Sequence, residues 1–288
     1  MMRLHPECIP CFLSASLRAA RILGLPDGKR WEVVDRVAPL ALGLPRGWPP
    51  LLVGGRVQRV VEGIAGTRDP FAGVKRLANE QALDRLGALR ERIRGARDPL
   101  EEALRVAVAG NLIDFGVSDS FDLEEALARA ERATDHFDYE GFRQALSAAR
   151  RVLYVGDNAG EIAWDRLAVE ELQRAGVEVV FAVRSGPALN DATLEDARFV
   201  GLDRLCRVIG TGAALPGITL ATASEEFRRE FQDADLVLAK GMGNFEGLVG
   251  ESGKVFFLLV AKCLPVAREL GVPVGTVVLR GDGPTTAA

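Results

Sequence analysis

The spacing of hydrophobic residues changes about halfway along the chain. Between residues 12 and 150, apolar side chains recur mostly every three or four positions, as in LSASLRAARILG and PLEEALRVAVAGNLIDFG. That period is typical of helices with one buried face. The turn-forming sequences LPDG, LPRGWPP and TRDP separate these segments. We therefore predict that the first part of the chain is mostly α-helical.

From residue 151 onward, short β-branched runs alternate with helical patterns. The run VLYVG precedes the helical segment EIAWDRLAVEELQRAG, and VEVVFAV follows that segment directly. Further strand candidates are LCRVIG, ADLVLAK and PVGTVVL. This alternation is typical of an α/β fold with a parallel sheet and helices on both faces. The change of pattern predicts a domain boundary near residue 145, with one domain at residues 1–145 and a second at residues 146–288.

Composition and charge narrow the class of protein. The 288 residues are 48% hydrophobic and 26% charged, as in globular proteins. A net charge of -4 without a basic block argues against a nucleic-acid partner. No apolar run reaches membrane-spanning length without a charge, and MMRLHPEC lacks the apolar core of a signal peptide. We therefore expect a cytoplasmic protein with no membrane partner, and the oligomeric state stays open.

Three polar clusters follow predicted strands. Ligands of open parallel sheets bind beyond the carboxyl ends of the strands, so these clusters are expected to meet at one edge. Asp157-Asn158 follows VLYVG, RSGPALNDAT follows VEVVFAV, and KGMGNFEG follows ADLVLA. The candidate side chains in these clusters are Asp157, Asn158, Arg184, Asn190, Asp191, Thr193, Lys240, Asn244 and Glu246.

The chemistry of the clusters is complementary. Asp157, Asn158 and Asp191 offer oxygen ligands that suit Mg²⁺ or Mn²⁺ better than Zn²⁺. Lys240 and the glycines beside it suit an anion. The nearby carboxylates would repel an anion, but a cation bound next to Asp157 would offset that repulsion. The combination favours metal-assisted phosphoryl transfer or hydrolysis. Taken singly, however, an Asp or Asn at position 157 or 158 is more often a helix cap than a ligand, GPALND is typical of an ordinary turn and GMG of a flexible loop.

Several motifs in a fixed order resemble the DUF89 family of metal-dependent damage-control phosphatases, which includes proteins first described as acidic-residue methyltransferases. The motifs cover nearly the whole chain: CIPC, DPFAGVKRLANEQAL, AGNLIDFG, GDNAGEIAWDRL, PALNDATLEDA, KGMGNFEGL and FFLLVAKCLPVARELGVPVG. CIPC is similar to the CxxC of prokaryotic members. Met242 stands where many relatives carry a polar residue, often Gln, which bears on substrate preference.

The resemblance implies a fold and an activity. It implies a helical N-terminal domain that contributes to the substrate cleft, and a Rossmann-like α/β/α C-terminal domain with a mainly parallel sheet. It implies a divalent metal (Mn²⁺, Co²⁺, Ni²⁺ or Mg²⁺) held by Asp157, Asn158 and Asp191. The implied reaction is hydrolysis of phosphate monoesters of small, damaged or surplus metabolites such as sugar phosphates.

The residues and the resemblance together suggest roles at the cleft. Asp157, Lys240 and Glu161 are the candidate catalytic residues, with Glu161 near the metal, although a carboxylate in a first helical turn also favours the helix dipole. The candidate substrate-binding residues are Asn111, Asp114, Arg184, Gly241 and Asn244, and Lys75 and Asn79 belong to the cleft wall. The nucleophile is either a metal-bound water or Asp157, which would pass through an aspartyl-phosphate.

Two other functions are weighed against the phosphatase. A Rossmann-like domain also suits a transferase that binds S-adenosylmethionine or a nucleotide, but the turn after VLYVG lacks G-x-G-x-x-G and VEVVFAV is followed by Arg184, where a ribose-binding acid would be expected. A non-enzymatic thiol or metal-binding protein would rest on His5, Cys8 and Cys11 of HPECIPC. For these cysteines zinc, redox and structural roles are all open, and no fourth zinc ligand is evident nearby.

Overall fold

The computed structural model describes residues 1–113 and 123–282. Within these ranges the chain forms twelve α-helices, one short 3-10 helix at Leu202–Arg204 and six strands. Helices α1 to α7 precede the first strand: α1 Cys8–Ile22, α2 Asp27–Leu42, α3 Pro50–Ala65, α4 Ala72–Gly95, α5 Pro99–Gly110, α6 Leu123–Glu131 and α7 Tyr139–Ser147. Asp114, a predicted substrate-binding residue, lies outside the described residues.

Strands and helices alternate in the rest of the chain, as the pattern predicts. The order is β1 Arg151–Val155, α8 Glu161–Arg174, β2 Glu178–Val183, α9 Leu194–Phe199, β3 Arg207–Gly210, α10 Glu225–Asp233, β4 Leu236–Lys240, α11 Gly241–Leu248, β5 Val255–Val260, α12 Leu264–Leu270 and β6 Val277–Gly281. Strand β5 was not among the strand candidates, because a continuous apolar run does not by itself distinguish a buried strand from a buried helix.

The six strands form one sheet in the order β3-β2-β1-β4-β5-β6. The pairs from β3 to β5 are parallel, and β6 joins the edge antiparallel to β5. This is the strand order of Rossmann-like sheets, in which the order reverses beside β1 and leaves a crevice between β1 and β4. The predicted α/β fold class with a mainly parallel sheet is confirmed.

Alternating side chains of each strand contribute to two different cores. Tyr154 and Phe181 point to one face and stack at a centroid distance of 4.8 Å, in a core shared with helices α4 to α8. Leu153 and Ala182 point to the other face, which packs against α10, α11 and α12. A sheet covered on both faces needs strands that are apolar throughout, which explains the unbroken runs in the sequence.

The helices before the sheet divide between two cores. Helices α1, α2 and α3 form a cluster of their own, which includes Val33, Val37 and Val57. Helices α4 to α7 bury their apolar faces in the same core as one face of the sheet. A domain boundary near residue 145 stays a prediction.

None of the helices in the described ranges combines the length and the apolar character that a bilayer-spanning segment requires.

Candidate active site

The turn between β1 and α8 brings the first polar cluster to the crevice. Gly156 begins the turn, and a Cβ there would lie 2.7 Å from the Phe181 ring, so no larger residue fits without a shift. Asp157 follows with only 9% of its surface exposed. The Asn158 amide nitrogen donates to Asp157 Oδ2 at 3.0 Å and to Glu161 Oε1 at 2.7 Å. The turn therefore gathers two carboxylates around one amide.

The loop after β2 is hydrogen-bonded to this turn. The Ala192 amide donates to the Asp157 carbonyl at 2.8 Å, and the Ala159 amide donates to the Asn190 carbonyl at 2.9 Å. Asn158 and Asp191 thereby form an isolated antiparallel bridge. The structure thus brings Asp157, Asn158 and Asp191 together, from two segments more than thirty positions apart in sequence.

Arg184 places a fully buried guanidinium between these carboxylates. Its Nε donates to Asp191 Oδ2 at 2.6 Å, and its Nη2 lies 3.6 Å from Asp157 Oδ1. Its Nη1 donates to Asn244 Oδ1 at 2.9 Å, while Nη2 has no hydrogen-bond acceptor. In this arrangement Arg184 holds the two aspartates, and a direct contact with substrate stays a prediction.

The third cluster forms the start of helix α11 rather than a loop. Gly241 has a φ of 77°, and a Cβ on it would lie 2.0 Å from Asp157 Oδ2. The Asn244 side chain donates to the Gly156 carbonyl at 3.0 Å and to the Lys240 carbonyl at 2.7 Å. No side chain caps the amino end of α11. Asn244 therefore ties the three segments together, and the amino end of α11 lies beside Asp157.

Lys240 is fully buried, and its ammonium group already has three acceptors. The Nζ atom donates to the Ala107 carbonyl at 2.9 Å, to Asp165 Oδ1 at 2.9 Å and to Glu161 Oε2 at 3.3 Å. Contact with a phosphate would have to displace one of these partners. The observed geometry makes Lys240 the counter-ion of Glu161 and Asp165, and its predicted contact with substrate stays a prediction.

Asn111 reaches the same carboxylates from the end of α5. Its amide nitrogen donates to Glu161 Oε1 at 2.8 Å and to Asp157 Oδ2 at 3.3 Å. Its oxygen accepts from the Val260 amide at 3.3 Å. The helical part of the chain therefore contributes a side chain directly to the site, and that side chain is the predicted residue Asn111.

The carboxylates of the site outnumber its cations. Burial, together with the charges of Asp191 and Glu161, raises the pKa of Asp157 well above its usual range. Burial also raises the pKa of Asp191 against the opposing effect of Arg184. Burial raises the pKa of Asp165 to about 6, with Lys240 opposing. Burial alone would lower the pKa of Lys240, but Asp165 and Glu161 outweigh it and raise that pKa.

This charge balance fits a small, hard cation. Four carboxylates surround two cationic side chains, Arg184 and Lys240, and one divalent ion would neutralise the remaining negative charge. The carboxylates are those of Asp157, Glu161, Asp165 and Asp191. Carboxylate and amide oxygens are the ligands that Mg²⁺ and Mn²⁺ prefer. In residues 1–113 and 123–282, no group of three His, Cys, Asp or Glu side chains is by itself arranged to hold a metal. The predicted ligand set differs from such a group in that it includes the Asn158 amide.

A second ring of polar side chains supports the site from α4 and α9. Lys75 binds Asp69 at 2.8 Å and Asp196 at 3.2 Å. Asn79 donates to Asp196 Oδ1 at 2.9 Å and accepts from the Gly160 amide at 2.8 Å. The sequence indicated Lys75 and Asn79, which lie four positions apart on one face of a helix. It gave no signal for Asp165 and Asp196, which resemble ordinary helix residues.

Comparisons with known proteins agree on one family. The damage-control phosphatase ARMT1-like domain matches residues 4–278. A protein of Methanocaldococcus jannaschii is 34% identical, with 96% of this chain and 95% of that protein covered. A damage-control phosphatase of Archaeoglobus fulgidus is 33% identical, with 97% of this chain and 99% of that protein covered.

A solved structure extends the likeness to three dimensions. The crystal structure of a DUF89 family protein from Pyrococcus horikoshii has a TM-score of 0.89 and 31% sequence identity, and the match covers 98% of this chain and 100% of that one. Sequence and structure together show that the chain belongs to the DUF89 family, the family of the damage-control phosphatase ARMT1-like domain.

Proposed function

We propose that the protein is a divalent-metal-dependent phosphatase that hydrolyses phosphate monoesters of small metabolites such as sugar phosphates. The observation that carries the proposal is the meeting of Asp157, Asn158 and Asp191 at the β1–β4 crevice. The relatives from A. fulgidus and P. horikoshii bear the name damage-control phosphatase, which supports the same reaction class for this chain.

The proposed metal ligands are Asp157, Asn158 and Asp191. A divalent ion bound there supplies charge neutralisation at the oxygens of the transferred phosphoryl group. Mn²⁺, Co²⁺, Ni²⁺ and Mg²⁺ all suit a set of carboxylate and amide oxygens.

The surrounding side chains fix the positions of the ligands. Arg184 holds Asp191 through Nε at 2.6 Å, and Asn111 and Asn158 both donate to Asp157 Oδ2. Lys240 neutralises Glu161 at 3.3 Å. Because Arg184, Asn111 and Lys240 are themselves buried and bonded, the reactive groups keep their orientation before substrate arrives, which is the basis of electrostatic preorganisation.

The proposed phosphate site lies at the amino end of α11. The amino end of α11 has no capping side chain, and helix amino ends favour anions. The Asp157 carboxylate lies against this helix end. The attacking group is then water or Asp157 itself, with an aspartyl-phosphate in the second case.

The geometry favours this function over a transferase that binds S-adenosylmethionine or a nucleotide. In dinucleotide-binding folds, the first strand–helix turn approaches a pyrophosphate through bare glycine amides. Here Asp157 fills that turn, and the position after β2 holds the buried Arg184 in place of an acid for a ribose. Neither position therefore offers the contact that such a cofactor usually makes.

A phosphatase assay with matched variants tests the proposal. Hydrolysis of p-nitrophenyl phosphate is measured with Mn²⁺ and after chelation, for the unmodified protein, Asp157→Ala and Asp191→Ala. We expect activity that needs the metal and is lost in both variants, whereas the exposed Asp203→Asn retains it. Full activity in either site variant would exclude this assignment. A panel of phosphorylated metabolites then defines the substrate class.

A further inference from the structure

A row of buried polar side chains lies beneath the proposed metal site. Tyr154 of β1 donates its hydroxyl to Asp165 Oδ1 at 2.8 Å, and Lys240 of β4 donates to the same oxygen at 2.9 Å. The Lys240 ammonium also donates to Glu161 Oε2 at 3.3 Å. None of the four side chains is more than 1% exposed. This buried polar row therefore joins Asp165, in the second turn of α8, to Glu161 in the first.

The buried polar row ends at a proposed metal ligand. The second oxygen of Glu161, Oε1, accepts from the Asn158 amide nitrogen at 2.7 Å and from the Asn111 amide nitrogen at 2.8 Å. Because the nitrogen of Asn158 points to Glu161, its oxygen points away from that carboxylate. The orientation of the Asn158 amide therefore depends on Glu161, and the position of Glu161 depends on Lys240.

Lys240 also connects the row to the proposed phosphate site. It directly precedes Gly241, the first residue of α11. Its carbonyl accepts from the Asn244 side chain at 2.7 Å, while its ammonium donates to the Ala107 carbonyl at 2.9 Å. Both ends of this residue are thus bonded. The lysine that neutralises Glu161 therefore also holds the amino end of α11 in place.

Asp165 is the member of the row that the stability of the fold explains least. Only its Oδ1 is bonded, and Oδ2 has no hydrogen-bond partner among the described residues. A buried polar atom without a partner is costly, and a buried ion pair often adds little net stability. Glu161 and Asp165 are also like charges four positions apart on one helix, which is unfavourable unless a cation lies between them. A carboxylate at position 165 therefore calls for a further role.

We propose that Asp165, supported by Tyr154, is a positioning residue of the proposed phosphatase. It holds the Lys240 ammonium in the orientation that neutralises Glu161, and through Glu161 it acts on the Asn158 amide. Asp165 thus acts through Lys240 and not by contact with metal or substrate. The inference rests on the proposed function, because it gives the residue a part in that reaction. Partners that orient metal ligands from behind typically contribute about 10- to 100-fold to metal affinity or activity.

Nuclear magnetic resonance of the lysine ammonium groups tests the contact without any need for phosphatase activity. The spectrum is simple, since the sequence has only the lysines Lys29, Lys75, Lys240, Lys254 and Lys262. Lys240→Met identifies the signal of interest in the metal-free full chain. We expect a sharp Lys240 signal that exchanges slowly with water. In Asp165→Asn it should broaden through faster exchange, because a neutral acceptor replaces a charged one.

Two further variants separate positioning from general stability. Tyr154→Phe removes only the hydroxyl and keeps the ring that stacks on Phe181. It should broaden the Lys240 signal less than Asp165→Asn does. Glu170→Gln is the matched control, because it removes another ion-paired carboxylate of α8, the partner of Arg90 at 2.7 Å. We expect the Lys240 signal to be unchanged in this control.

Steady-state kinetics test the part that Asp165 plays in the reaction. With p-nitrophenyl phosphate and saturating Mn²⁺, kcat should fall at least about tenfold in Asp165→Asn. KM should change less than kcat, because the groups proposed to bind the phosphate are still present. Tyr154→Phe should lower kcat by a smaller factor, and Glu170→Gln should retain the kcat of the unmodified protein.

Three results would overturn the proposal: an unchanged Lys240 signal in Asp165→Asn, an unchanged kcat in that variant, or an equal loss of kcat in Glu170→Gln. Urea denaturation checks that each variant is folded. If Asp165→Asn does not fold, Tyr154→Phe decides, and an unchanged signal and kcat there would overturn the proposal. An inactive unmodified protein would contradict the proposed function itself, whereas an active one with a fully active Asp165→Asn contradicts only this inference.

Discussion

Gly241 shows how a single residue can combine backbone and site requirements. Its φ of 77° lies in the left-handed region, where other residues are strained. A Cβ at this position would also lie 2.0 Å from Asp157 Oδ2. The absence of a side chain therefore lets the proposed metal ligand reach the amino end of α11.

Gly241→Ala should impair both stability and activity. We expect a loss of about 1–2 kcal/mol in the free energy of unfolding from the backbone conformation. Displacement of Asp157 should lower kcat by about 100-fold. Gly253→Ala is the control, because nothing lies within 4 Å of its Cβ and its φ is not positive. Urea denaturation and steady-state kinetics of both variants check the prediction, and equal behaviour of the two would contradict it.

The site contains residues whose contacts could be predicted from the sequence and others whose contacts could not. Asp157, Asn158 and Asp191 were expected to meet because they follow adjacent parallel strands. The partner of Lys240 was not foreseen, because Asp165 lies in the middle of α8, among residues typical of a helix. In the sequence, a lysine beside glycines predicts an anion site. The same pattern occurs when a carboxylate elsewhere in the chain already neutralises the lysine, as Asp165 does here.

At the scale of elements, helix α11 departs most from its local sequence. GMGNFEGL contains three glycines, which disfavour a helix, and a flexible loop was one interpretation. The structure explains these glycines by close approach: a Cβ on Gly243 would lie 2.0 Å from the Pro216 carbonyl oxygen, and one on Gly247 would lie 1.9 Å from that of Ile218. Such tertiary contacts have no signature in the periodicity of the sequence.

Helix α4 is tied to the site through Asn79. This side chain accepts from the Gly160 amide at the start of α8 and donates to Asp196, which completes a capping box with Thr193 at α9. One amide group thereby connects three helices around the crevice.

Asn79→Ala should therefore destabilise the fold. The Gly160 amide would lose its acceptor in a buried position, which costs about 1–3 kcal/mol. The exposed Gln144→Ala on α7 is the control, and we expect a change within about 0.5 kcal/mol. Urea midpoints measure both variants. If Asn79→Ala unfolds at the same urea concentration as Gln144→Ala, the proposed link is not important for stability.

At the scale of the whole molecule, the fold collects negative charge at the point where the strand order reverses. The sheet order places β1 beside β4. The helical part contacts the site through Asn111, which donates to Glu161, and its support through Lys75, which binds Asp196. The class of fold followed from hydrophobic periodicity, because that signal is summed over many residues. The support of the site by α4, α5 and α9 could not be predicted from that periodicity, because it depends on how separate elements pack.

The raised pKa values predict how metal-induced stabilisation depends on pH. Burial raises the pKa of Asp157 and of Asp191, so these groups stabilise the metal-free fold while protonated. That stability is lost as pH rises above the ordinary aspartate value and through the raised one. A divalent cation replaces the protons, so its benefit should grow with pH.

Thermal unfolding with and without Mn²⁺, between about pH 5 and pH 8, checks this prediction. At about 100 times the dissociation constant the ion should add about 2.7 kcal/mol at the upper end of the range, and less at the lower end. Asp191→Asn should flatten the dependence. A shift in Tm that is constant or falls as pH rises would contradict the charge argument.

The most direct test of the central claim is calorimetric titration of the metal-free protein with Mn²⁺, for the unmodified chain and for Asp191→Asn. The substitution keeps an oxygen for the bond from Arg184 Nε but removes the charge, so the fold should be retained. We expect one tight site in the unmodified chain, with an affinity for Mn²⁺ that falls at least about tenfold in the variant. Equal Mn²⁺ affinity in the two proteins would contradict the assignment of Asp191 as a metal ligand.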